Sequence, residues 1–115
     1  MQILADQNVT AIGYLYNNVI LLPGHIVAGV LLAHCVFTRK GHVKGKFFNE
    51  YLYNEQGEII AQNIKGKSEE ITPEAGRQIM LDAWKILGLT KEHLCPWVIA
   101  TDKWSVTTLE EFLSQ

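Results

Sequence analysis

Apolar positions alternate along the first half of the chain and recur at three- and four-residue steps in the second, so a β region precedes a helical one. Within the β region three segments superimpose on glycine: Gly24-His25-Ile26-Val27-Ala28, Gly41-His42-Val43-Lys44-Gly45 and Gly57-Glu58-Ile59-Ile60-Ala61. A large apolar residue (Ile20, Phe37, Tyr53) stands four places before each glycine, so each unit reads strand, turn, strand. Thr38-Arg39-Lys40-Gly41 and Asn54-Glu55-Gln56-Gly57 fit a type I turn closed by a left-handed glycine. Leu22-Pro23-Gly24-His25 fits a type II turn, with proline presetting φ and glycine accepting a positive one.

Consecutive hairpins share strands, which predicts strands near Thr10 to Asn17, His25 to Phe37, His42 to Tyr53 and Glu58 to Lys65. The second and third are longer than usual, and Gly29, Gly45 and Asn49 are the expected places for a bulge or twist. After a charged linker, Lys65 to Glu70, Thr72 reads as an N-cap, Pro73 as the first helical residue and Gly88 as the close of a helix over 73–87. Its expected apolar face is Ile79, Met80, Ala83, Trp84 and Leu87. Pro96 to Thr101 reads as a fifth strand, and Thr107 or Thr108 opens a short terminal helix. The expected fold is thus one α+β domain over residues 1–115: a twisted antiparallel β-meander of four to five strands, three successive hairpins, packed by one main helix and a short C-terminal one.

The second strand is apolar on both faces, with Ile26, Ala28, Val30, Leu32 and Val36 on one and Val27, Gly29, Leu31, Ala33, Cys35 and Phe37 on the other. One helix covers one side of a sheet, so either the sheet curls into a partial barrel or a second subunit supplies the missing layer. A homo-oligomer is the expectation.

Composition narrows the function classes. With 48% hydrophobic residues, 19% charged ones and a net charge of −2, the chain is neither disordered nor drawn as a whole to nucleic acid. Val19 to Phe37 has no formal charge, but Pro23, Gly24, His25 and His34 make it a hairpin rather than a membrane span. Two cysteines without a framework spacing, and no lysine or arginine before Arg39, make a reducing cytoplasm the expected setting, where the Asn8-Val9-Thr10 sequon is idle.

Candidate chemistry is sparse. His34-Cys35 and His93-Leu94-Cys95 hold enough donors for zinc, but adjacent strand residues point to opposite faces, so no metal and no cofactor are expected. Cys95 beside His93 lacks an oxyanion element, no phosphate loop or nucleophile elbow is present, and Glu69-Glu70 and Glu110-Glu111 read as solvated charge. Lys40, His42, Lys44 and Lys46 take alternate positions with Phe48 next, a pattern that serves either solubility or nucleic-acid binding. Aromatic and polar groups around a coiled sheet, His34, Asn49, Tyr51 and Trp84, are candidates to line a ligand cavity. The expected role is a small non-catalytic binding or assembly module. The alternative is a small-ligand-binding protein or small enzyme with an apolar cavity between sheet and helix, and a third is a nucleic-acid accessory protein.

Overall fold

In a computed structural model, which describes residues 1–64, 66, 71–90 and 94–115, eight antiparallel strands close into a barrel in simple sequence order. They are β1 (Gln2–Ala5), β2 (Ala11–Tyr16), β3 (Val19–Leu22), β4 (Ile26–Leu32), β5 (Cys35–Thr38), β6 (Val43–Phe48), β7 (Tyr51–Asn54) and β8 (Ile59–Ile64), followed by helices α1 (Pro73–Leu89) and α2 (Leu109–Leu113). Closure is made by β1 against β8, with Ile3 opposite Ile64 and Ala5 opposite Gln62. The open meander of four to five strands is therefore corrected to a closed barrel.

The two long strands are each a hairpin. The span 25–37 folds back at Ala33-His34, and the span 42–53 at Asn49-Glu50, where Ala33, Asn49 and Glu50 take positive φ (56°, 51° and 70°). The apolar stretch Val19 to Phe37 is accordingly three strands, and among the described residues no helix is long and apolar enough to cross a membrane.

The repeat is fourfold rather than threefold. Each of the hairpins β1–β2, β3–β4, β5–β6 and β7–β8 carries one extra residue in its second strand, namely Ile12, Ala28, Lys44 and Ile60. These stand 16 residues apart, and so do the left-handed turn residues Val9, His25, Gly41 and Gly57 (φ 63°, 59°, 80° and 80°). His25, and not Gly24, is thus the equivalent of Gly41, which is why Gly24, Gly41 and Gly57 stand 17 and then 16 residues apart. A bulge at the same point of every hairpin adds twist to each pair, which is what short strands need to close.

Closure also answers the two-sided strand. Leu4, Leu15, Ile20, Leu31, Val36 and Leu52 fill the barrel interior, while Val19, Leu21, Val30 and Phe37 on its outer side pack under Ile79, Ala83 and Ile86 of α1. The chain itself supplies both covers, so the argument for a second subunit from β4 falls away. Helix α1 begins at the expected Thr72, whose side chain accepts from the Ala75 N–H, but runs on to Leu89. Ile86 is buried and Trp84, assigned to the apolar face, is 65% exposed. Residues 96–101 are not a strand; a single parallel bridge joins Trp104 to Ile59. The linker residues 65 and 67–70, with the Glu69-Glu70 pair, and His93 lie outside the described residues.

The turns give a stability test. A Cβ on Gly24 (φ 87°) meets nothing within 4 Å, whereas one on Gly57 would collide with the Ile99 carbonyl. Gly24→Val therefore costs only left-handed strain, and Gly57→Val is expected to cost about 1–3 kcal/mol more, the range for forced overpacking. Urea denaturation of both variants measures the difference; equal losses would mean that the segment after Trp97 does not lie on this turn.

Candidate functional site

Small residues recur inside the barrel at Gly13, Gly29, Gly45 and Ala61, again 16 apart. A Cβ at Gly13, Gly29 or Gly45 would collide with a backbone carbonyl of the neighbouring strand, that of Leu21, Phe37 or Tyr53, and would also crowd α2, at 2.8 Å from Leu109, 3.1 Å from Leu113 and 3.2 Å from Phe112 respectively. The glycines thus leave the space into which α2 inserts its three apolar side chains, all buried with the interior cluster. Thr108 caps this helix in a reciprocal box with Glu111, which gives Glu111 a defined partner rather than bulk solvent alone.

The plug is off-centre. Helix α2 is tied to the β5–β6 turn, where the Arg39 N–H donates to the Leu113 carbonyl (2.8 Å) and His42 Nδ1 lies 2.9 Å from the Gln115 carbonyl. On the opposite side, by the β1–β2 and β3–β4 turns, the mouth stays open as a cleft of 680 Å³. Ala11, Ile12, Leu22, Ile26, Ile60 and Leu109 give it apolar lining, Trp104 and Val106 contribute from the segment before α2, and Asp6, Gln7, Asn8, Ser105, Thr107, Thr108 and Glu110 supply polar groups. Its volume falls within the ~300–1,000 Å³ common for small-molecule sites, and an apolar lining with a few polar groups is their usual chemistry.

The turn that borders the cleft is held firmly. Asp6 Oδ1 accepts from the N–H groups of Asn8 and Thr10, both at 2.9 Å, and the Asp6 carbonyl accepts from Gln62 Nε2. Thr38 and Asn54, 16 and 32 residues after Leu22, cap their own turns in the same way. Leu22 occupies that position in the second hairpin without a polar cap, and lines the cleft instead.

A smaller groove of 430 Å³ lies between α1 and the barrel, and Ile26 borders both openings. The residues singled out from the sequence lie elsewhere. His34 and Asn49 sit on exposed turns, Trp84 points outward from α1, and Tyr51 is half-buried on β7. None of the four lines the mouth cleft. Beside Tyr51, burial pushes the Tyr53 phenol above its ordinary value and the neighbouring tyrosine adds to the shift, so the group is no base at neutral pH.

The basic row is split by the bulge. Lys44 turns toward Phe112 and Gln115 at the mouth, while Lys46 lies outside with its Nζ 6.0 Å from the centre of the Trp97 ring. Phe48 is engaged by Tyr53 at 4.8 Å between ring centres, His42 contacts the chain's last carbonyl, and Lys40 is exposed. Among the described residues no group of three or more His, Cys, Asp or Glu converges on a metal position.

Cys35 and Cys95 are joined in a disulfide, 60 residues apart in sequence. The reading of a reducing cytoplasm is corrected by this bond, which points to an oxidising, non-cytoplasmic setting. It also anchors the start of the segment that carries Trp104 to the cleft. No protein-family model, no curated protein and no solved structure matches the chain.

Sequence reasoning missed the cleft because its lining comes from residues 6–12, 22–26, 60 and 104–110. One signal was present. Carrying the repeat one unit back from Leu22 and Gly29 reaches Asp6 and Gly13, and so the first hairpin, which borders the site.

Proposed function

We propose that the protein is a binding module for a small, largely apolar molecule held in the mouth cleft, the alternative reading of the sequence rather than its first one. The observation that carries this is the off-centre plug: α2 fills one side of the barrel mouth and leaves an apolar-lined opening of ligand size beside it. The barrel interior is packed with side chains, so the ligand seats at the mouth and not in a central cavity. No catalytic step is assigned.

The test uses Nile red, an uncharged apolar fluorophore. Saturable binding is expected, weakened about tenfold or more, a loss of roughly 1.4 kcal/mol, by Ala11→Trp, which places an indole on an exposed wall of the cleft without touching the core. Binding unaffected by that substitution, or absent from the wild type, overturns the site.

A second reading, a protein-contact or self-assembly module, is favoured by a separate observation. Leu94, Trp97 and Ile99 follow one another on the surface with exposures of 92%, 85% and 72%. Light scattering tests it: a mass above 13 kDa that falls when Trp97 and Ile99 become serine supports self-association, and a concentration-independent monomer removes it.

A further inference from the structure

Resting on the cleft reading above, we infer that the ligand it selects is a cationic amphiphile, an apolar body carrying an amine or quaternary ammonium group. Three features of the lining converge on this. Among the described residues it contains two carboxylate side chains, Asp6 and Glu110, and no lysine, arginine or histidine. An anionic amphiphile entering it would lose water and meet charge of its own sign, whereas a cation is attracted to the half-buried Asp6 and, more weakly through solvent, to the exposed Glu110. The carboxylate of Asp6 is held in orientation by the Asn8 and Thr10 N–H groups, so little side-chain freedom is lost when a cation approaches.

The third feature is Trp104, a half-buried indole in the same lining. The electron-rich face of tryptophan is the best of the aromatic surfaces for an ammonium group, and carboxylates with an indole form the usual recognition set for such cations. The remaining polar groups, from Gln7, Asn8, Ser105, Thr107 and Thr108, are neutral and favour neither sign. The apolar wall then takes the hydrocarbon body, as it would for any amphiphile. Sign selectivity therefore comes from the rim and affinity from the wall.

The experiment compares decyltrimethylammonium with decyl sulfate by calorimetry below their micelle concentrations at low salt, on wild type, on Ala11→Trp and on Asp6→Asn/Glu110→Gln. Asparagine at position 6 keeps the oxygen that accepts from Asn8 and Thr10, so the turn persists. The expected result is binding of the cation about tenfold or more tighter than the anion, a preference lost in the double variant, which binds the two detergents alike. Equal binding of both detergents, or a preference for the anion, with Nile red still displaced by Ala11→Trp, overturns the charge class and leaves the cleft reading standing. A cation preference that survives in the double variant also overturns it. Failure of every probe, Nile red included, removes the cleft reading itself.

Discussion

Phe112→Ala is expected to destabilise the fold by about 3–5 kcal/mol, the range for emptying a phenylalanine site in a packed core. The ring is 2% exposed and sits among the interior residues beside Gly45. Little local structure compensates for its loss. Helix α2 has five residues, far too few to persist alone, so its capping box and the contacts of Leu109, Phe112 and Leu113 must hold it in place. Leu109 and Glu110 also line the cleft, and the same substitution should therefore weaken Nile red binding in protein that remains folded. Urea denaturation and a binding titration below the transition measure the two effects. A loss under about 1 kcal/mol would show that α2 does not plug the barrel, since a surface position changes stability by that much or less.

Removal of the Cys35–Cys95 bond should cost about 4 kcal/mol by the chain-entropy relation for a loop of this length, and about 2–4 kcal/mol if the unfolded chain keeps some structure. The closed loop contains the second half of the barrel and all of α1, so the crosslink restrains most of what the unfolded chain would otherwise explore. Reductant should lower the denaturation midpoint of the wild type and leave the Cys35→Ser/Cys95→Ser variant unchanged. Free thiols titrating in denatured, unreduced protein would contradict the bond. Because Cys95 precedes the segment that reaches the cleft at Trp104, loss of the bond should also weaken binding there.

Local chemistry carried the parts of the fold that depend on neighbours in sequence. Pro23-Gly24, Gly41 and Gly57 marked their turns because positive φ is cheap only for glycine, and the structure puts all three glycines there. Thr72-Pro73 and Thr108 marked helix starts because an N-cap oxygen satisfies an N–H within the next three residues. Asn49, an expected place for a bulge or twist, is where the chain folds back, and asparagine tolerates positive φ, but Ala33 and Val9 were not legible in the same way. Each bends the chain through positive φ without a glycine, and Ala33 and Val9 lie in stretches whose residue types resemble their neighbours. There the strain is sustained by pairing on both sides of the turn, which no local propensity encodes.

What only the tertiary structure decided are the contacts between distant segments. Nothing in Ile3 or Ile64 announces their pairing, yet it turns a meander into a barrel and buries both faces of the middle of β4, residues 28–31, within the chain itself. Cys35 and Cys95 carry no spacing that sets them apart from two free thiols, and the fold alone brings them to bonding distance. The cleft is of the same kind. Gly13, Gly29 and Gly45 could be read from sequence as weak points in strands, but that they admit Leu109, Leu113 and Phe112, and that these fill one side of the mouth and leave the other open, follows only once the ends of the barrel have met. The physical reason is that turns and caps are determined by a few adjacent residues, whereas closure and the site that depends on it are determined by loop-closing contacts whose free energy resides in the whole assembled core.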